Sequence, residues 1–267
     1  MPGWCSLTDE PPARRRCWWH ALLGGAGFTL GLPGDRCRPS GTLAVVTDTP
    51  TARRQLADLG PIEQLRAGRL APRLALLLVG LFLYGASMAM VVRSVLGLIP
   101  WDVLHVGLQQ HLPLTFGTVV VGVSVLVLLL WIPLRQRPGL GTLCNAFLIG
   151  PAADLTLAVL PQTDELGWRV VLLLGGILLN GVATGMYIGS QFGPGPRDGL
   201  MTGLARVSGR SFRLVRTAIE VSVVAVGWLL GGVVGVGTVL YAVAIGPLAQ
   251  LFLPVFTVDL SRPHPRR

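Results

Sequence analysis

Hydrophobic positions in this chain form long unbroken stretches. They do not alternate as in strands, and only a few segments show an amphipathic stripe. A helix needs about 20 consecutive apolar residues to cross ~30 Å of hydrocarbon. By that measure spanning helices are predicted near 74–94, 115–134, 141–160, 170–190, 213–232 and 237–257. Two segments suit neither a span nor an ordinary polar loop: "GLIPWDVLHVGL" (Gly97–Leu108) and "GPGPRDGLMTGL" (Gly193–Leu204). Proline is tolerated in the first turn of a helix, where its missing N–H costs nothing, and an acidic residue there suits the helix dipole. Pro100 with Asp102, and Pro196 with Asp198, therefore predict short helices over 100–111 and 196–207.

The two interrupted segments are copies of one another. Gly97, Pro100, Asp102, Leu104, Gly107 and Leu108 recur 96 residues later as Gly193, Pro196, Asp198, Leu200, Gly203 and Leu204. The same offset aligns "GLGTLCNAFLIGP" (139–151) with "GVGTVLYAVAIGP" (235–247), and "RLALLLVGLFLYG" (73–85) with "RVVLLLGGILLNG" (169–181). Roughly 30 of about 85 aligned positions are identical, which marks an internal duplication. Each copy holds three predicted spans, so the second enters the membrane from the opposite side. Inverted repeats of this kind are typical of secondary transporters, and Gly/Pro interruptions at matching places point to the binding site. Irregular backbone at that depth persists only where protein covers it or it lines a wet cavity.

The expected fold is all-α: a polytopic membrane protein with six transmembrane helices in two inverted three-helix repeats, 74–160 and 169–257, each with a short broken helix. Residues 1–55 read as a tail or an overlong gene start. Residues 56–73 read as a juxtamembrane amphipathic segment, with Leu59, Ile62 and Leu65 on one face, and 258–267 as a cytoplasmic tail.

Composition agrees. Hydrophobic residues make up 51% of the chain and charged residues 13%, about half the usual charged share of a soluble domain. The net charge is +9, and all 22 basic residues are arginine. A basic balance can signal nucleic acid, but here the arginines flank apolar spans. With both termini cytoplasmic, 15 arginines downstream of residue 45 fall on the inner side and only Arg93 and Arg169 on the outer, as the positive-inside rule requires. This predicts a multi-pass protein of the bacterial inner membrane with no nucleic-acid partner. The four cysteines show neither metal-binding nor disulfide spacing.

Charged groups inside a bilayer are costly, so each is a functional candidate. Arg216 and Glu220 stand four residues apart on one face of the fifth predicted span; they are either a structural ion pair or part of a solute or proton path. Asp154 is the acid of the third span, with Gln250 as its counterpart. Asp102 and Asp198 read either as cap-like residues or as pathway groups, together with Pro100, Pro196 and Arg197. Tyr84, Asn145, Asn180 and Tyr187 are expected to hydrogen-bond at helix contacts, and Gly80, Gly85, Gly176 and Gly181 to allow close packing. Trp101, Trp131 and Trp168 fall near span ends, where tryptophan anchors helices at the headgroups. His105 and His111, six apart on a short helix, face nearly opposite ways, so no metal site is expected. No catalytic triad, phosphate loop or HExxH is present, so neither an enzyme nor a cofactor is expected.

The pattern "GLIPWDVLHVGL … RPGLGT … IGP … GSQFGPGPRDGL … VRTAIE … GWLLGG … GVGT … IGP" resembles the YczE/YitT-like family of bacterial integral membrane proteins over about residues 60–257. The resemblance implies a polytopic inner-membrane protein and supplies no substrate or catalytic residue. The functional expectation is a transporter or permease-like carrier whose partners are the lipid bilayer and an unknown small solute. The alternative is a non-transporting scaffold or regulator that holds a cytoplasmic partner or anionic lipid through its basic loop.

Overall fold

The computed structural model describes Gln64 and residues 68–260. The expected tail over 1–55, residues 56–63 and 65–67 of the amphipathic segment (with Leu59, Ile62 and Leu65) and residues 261–267 lie outside the described residues. Eight helices account for the regular structure among those described: α1 Leu70–Ser94, α2 Pro100–Gln109, α3 Phe116–Trp131, α4 Leu140–Val159, α5 Leu166–Gly189, α6 Pro196–Ser208, α7 Phe212–Leu229 and α8 Val236–Phe256. Each of α5 to α8 begins 96 residues after its counterpart among α1 to α4.

All six predicted spans are helical, but four of them, α1, α4, α5 and α8, are long and apolar enough to cross a membrane by length and composition. The 16-residue α3 reaches only about 24 Å at 1.5 Å per residue. It starts where Thr115 accepts from the Thr118 N–H. It stops after Trp131, two residues before Pro133. The 18-residue α7 carries Arg213, Arg216 and Glu220 within its length. Large apolar side chains point outward along the helices: Val243 is 70% exposed and Leu251 65% on α8, and Leu126 59% on α3. Such a surface suits lipid; soluble monomers rarely expose contiguous apolar patches of this kind.

α1 and α5 form the centre and run antiparallel. Gly80 lies against Ala183 and Met186, whereas Gly176 lies against Ser87, Met90 and Val91. α4 packs on α1 where Gly85 meets Ile149, Ala152 and Ala153; α8 packs on α5 where the equivalent Gly181 meets Leu248. At Gly85 a Cβ would stand 2.5 Å from the Ile149 carbonyl oxygen, and at Gly181 2.7 Å from the Leu248 Cβ. All four glycines expected at close helix contacts occupy them, as dispersion-driven packing in lipid favours. The short helices cross between copies: α2 packs on α7, and α6 packs on α3.

Candidate functional site

The site begins with two equivalent turns. Left-handed residues follow the ends of α1 and α5, Val95 (φ 55°) at the cap of α1 and Gln191 (φ 59°) just after the cap of α5, and Gly97 (φ 130°) and Gly193 (φ 106°) come next. These glycines are needed because a side chain rarely adopts such angles. Pro100 and Pro196 then open α2 and α6, with Asp102 and Asp198 in their first turns.

Each turn is clamped by the other copy. The Gly141 N–H donates to the Phe192 carbonyl (2.9 Å), and the Gly237 N–H donates to the Leu96 carbonyl (3.0 Å). The two Gly-x-Gly-Thr blocks make this approach possible. A Cβ at Gly139 would stand 2.5 Å from the Phe192 carbonyl oxygen, and one at Gly237 2.8 Å from that of Gly97. Thr142 accepts from the Gly139 N–H and donates to the Pro194 carbonyl at 2.7 Å.

Tryptophans seat the short helices. Trp131 is 2% exposed, and its indole N–H donates to the Pro196 carbonyl at 3.0 Å, with its ring against Gly199. Trp101 is buried beneath Arg197, whose Cζ lies 5.0 Å from the ring centroid. The expectation that Trp101 and Trp131 anchor helices at the headgroups is therefore corrected. Both lie inside, because the short helices that carry or meet them fold back into the bundle. Trp168 is half exposed.

Arg197 and Trp101 occupy equivalent positions, so their contact brings the starts of α2 and α6 together. All three tyrosines of the chain gather there. The Tyr187 hydroxyl donates to Asp198 at 2.7 Å, and its ring meets Tyr84 edge-on at 6.0 Å between centroids. Tyr84 and Tyr241 are hydrogen-bond partners. Tyr241 donates to the Asn180 carbonyl oxygen (2.9 Å), and the Asn180 amide donates to Ser87 (2.8 Å). The charge of Arg197 is felt at Tyr84, His105 and Tyr241, and that of Asp102 at Tyr84 and Tyr241. Asp102 and His105 are fully buried, and the His105 Nδ1 lies 3.0 Å from the Asp102 Oδ1. Arg197 and Asp198 are half-buried.

Of the residues expected in a pathway, Pro100, Asp102, Pro196, Arg197 and Asp198 come together. Arg216 and Glu220 pair at 3.0 Å on α7, the helix that packs on both α2 and α6. Asp154 is bonded elsewhere. Its carboxylate accepts from the Gly117 N–H (2.7 Å) and the Thr115 hydroxyl (2.5 Å), at the start of α3. An open cleft of about 780 Å³ runs along α7, lined by Ser211, Arg213, Leu214, Thr217, Ala218, Val221 and Ser222; it contains no member of the cluster.

Sequence reasoning missed Arg73, counted among the loop arginines on the inner side. It is fully buried. It donates to the carbonyls of Gln64 (2.8 Å), Gly68 (3.3 Å), Ser190 (2.9 Å) and Gln191 (2.9 Å), and lies 4.3 Å from the Phe192 ring centroid. These oxygens satisfy the guanidinium and pin the left-handed turn before α6. The repeated "RxxLLL" was its only signal in the sequence. Among the described residues no group of three or more His, Cys, Asp or Glu is placed to hold a metal.

Residues 71–254 match a family of unknown function, DUF6198, and the chain belongs to it. It is 40% identical over 182 residues to an uncharacterized protein of Haemophilus influenzae, covering 68% of this chain and 84% of that one. It is 31% identical over 173 residues to the uncharacterized membrane protein YczE of Bacillus subtilis, covering 64% and 80%. The uncharacterized protein YyaS of the same species is 29% identical over 181 residues, covering 66% and 90%. No solved structure matches. With the apolar helices, the YczE relative marks the chain as an integral membrane protein.

Proposed function

We propose that this member of DUF6198 is a secondary carrier for a small solute, built as two inverted repeats that each thread the inner membrane three times, with both termini cytoplasmic. The observation that supports it most is the meeting of two equivalent broken helices at one polar centre, where Arg197 lies on Trp101, its own counterpart. Helix starts carry partial positive charge and unsatisfied N–H groups, and carriers aim such starts at anionic parts of solutes. The antiparallel run of α1 and α5, themselves equivalent, supports the inverted arrangement. In this reading α3 and α7 are the second span of each copy. They are shortened because the broken helices beside them take up part of the membrane depth.

The centre is amphoteric: Arg197 and Arg216 beside Asp198, Asp102 and Glu220, with three tyrosines and Asn180 as hydrogen-bonding walls. Such a lining suits a small anionic or zwitterionic solute. Rocking of α2 with α7 against α6 with α3 would expose it to one side and then the other. Uptake of labelled amino acids, carboxylates and phosphate into proteoliposomes tests the reading. Arg197→Gln and Glu220→Gln should lose uptake; wild-type rates in both would remove the centre from the path. Tag mapping that finds 97–114 and 193–210 on the same side of the membrane would end the inverted arrangement.

A scaffold role has one observation in its favour: Arg206, Arg210 and Arg213 are exposed together around the α6–α7 turn, as a site for anionic lipid or an acidic partner would require. Retention of a partner or lipid that depends on those three arginines, without any solute flux, would favour it.

A further inference from the structure

Among the described residues of the centre, only the Asp102–His105 pair leaves buried side-chain atoms without a partner. Both side chains are fully buried, three residues apart in the first turns of α2, and bonded to each other. Yet the Asp102 Oδ2 and the His105 Nε2 have no hydrogen-bond partner among the described residues. If the carboxylate is ionised, the ring donates from Nδ1 to Oδ1, and both remaining atoms are bare acceptors. A buried polar atom without a partner costs about 1–3 kcal/mol, so two adjacent ones in an otherwise bonded centre mark a place for something that supplies protons. A metal would want further ligands, and no third His, Cys, Asp or Glu among the described residues joins them.

We infer that the Asp102–His105 pair is a proton-binding site coupled to the central cluster; its coupling role rests on the carrier reading above. One proton fits it in two interchangeable ways. It makes the imidazolium beside the carboxylate, or it sits between the carboxyl and Nδ1 while Nε2 keeps the ring hydrogen. In both forms the Asp102–His105 hydrogen bond is kept and Nε2–H becomes a donor that needs an acceptor, which a bound anion would supply.

The surroundings give the proton an effect. α6 presents Arg197, whose charge is felt at His105. α1 and α8 present Tyr84 and Tyr241, where the Asp102 charge is felt. α3 presents the Phe116 ring, 6.1 Å from the imidazole and edge-on, and carries no ionisable residue. α7 meets α2 at Gly227, while its Arg216 and Glu220 pair with each other. Arg197 and the two helix starts thus already face this centre. Adding one positive charge makes it attract an anion, so proton and anionic solute occupy it together.

The test uses the full-length protein in nanodiscs with isotope-labelled histidine. Its four histidines are His20, His105, His111 and His264, and His105→Gln identifies the relevant signal. The His105 ring shifts should follow a one-proton transition between about pH 5 and 9. Asp102→Asn should change the proton affinity about tenfold or more, one pH unit or above. Ring shifts that stay constant over that range in the wild type, or that titrate identically in Asp102→Asn, overturn the proposal; the wild-type arm needs no variant to fold. In parallel, an imposed pH gradient should drive labelled carboxylates or phosphate into wild-type proteoliposomes, with about tenfold less flux in His105→Gln. A pair that titrates without flux of any solute retains the proton site and overturns the carrier reading. Flux with a silent pair does the reverse.

Discussion

α2 and α6 begin alike and face the centre with different chemistry. Both follow a left-handed helix end and a glycine at positive φ, both open on proline, and both place an aspartate in the first turn. Asp102 is fully buried and bonded within its own helix to His105, whereas Asp198 is half-buried and bonded across to Tyr187 of α5. The differences lie at single positions: His105 corresponds to Met201, Tyr187 to Val91 and Arg197 to Trp101. The lesson is that backbone devices held after duplication while the central side chains diverged. Turns built from close backbone approach leave no room for a Cβ, and side chains that face a shared centre are free to specialise.

The largest expected effect tests the seats of the two short helices. Gly227 of α7 lies on the α2 backbone at Val103 and Leu104, whereas at the equivalent pairing Gly199 of α6 lies on the Trp131 ring. Backbone cannot give way as a side chain can. Gly227→Ala should therefore destabilise the protein by about 3 kcal/mol, and Gly199→Ala by less, within the ~1–3 kcal/mol typical of overpacking. Thermal unfolding in detergent reads both, and Trp131→Phe should relieve only the second. Equal losses would show the two seats to be equally rigid.

Next come the equivalent arginines Arg73 and Arg169. Arg73→Met strips a donor from four carbonyls, two of them in the turn at Gln191, and should cost about 3 kcal/mol. Arg169 bonds the Thr163 carbonyl and the fully exposed Asp164, and Arg169→Met should lower the unfolding midpoint far less. Similar shifts would mean that the two ends of the bundle are held equally tightly.

A smaller loss, about 2 kcal/mol, is expected for Tyr187→Phe, which deletes a hydrogen bond to the Asp198 carboxylate. Denaturant titration should show it, with none of the tenfold change in His105 proton affinity expected of Asp102→Asn. If Tyr187→Phe moves His105 equally, the two aspartates act as one unit. The smallest effect compares the starts of α3 and α7. Ser211 alone caps α7, while α3 has Thr115 backed by Asp154. Asp154→Ala should cost about 1 kcal/mol, as loss of a cap does, and leave solute uptake unchanged.

Much of the fold was legible because hydrocarbon allows so few backbone arrangements. Apolar runs placed six helices to within a few residues, four of them long enough to cross a membrane, and Pro100 and Pro196 gave the starts of the short ones. The repeat gave the 96-residue offset between matching helices. Less of the site could be read. The Gly-x-Gly-Thr blocks stood out only as repeated text, because their partners, the Leu96 and Phe192 carbonyls, lie in the other copy. Trp101 and Trp131 looked like interfacial residues because sequence position reports depth only for a helix that crosses straight through. Arg216 and Glu220 were paired correctly from their spacing; that their helix packs on both short helices was not readable.

The sequence by itself determined the helical class, the duplication and the places where helices break. These follow from local rules: apolar length, proline and glycine geometry, and a fixed offset between copies. Only the tertiary structure decided that Arg73 is buried, that Asp154 caps a helix, and that two aspartates, Arg197 and all three tyrosines share one centre. A buried charge takes its meaning from partners brought to it by folding, and here those partners come from helices distant in the chain.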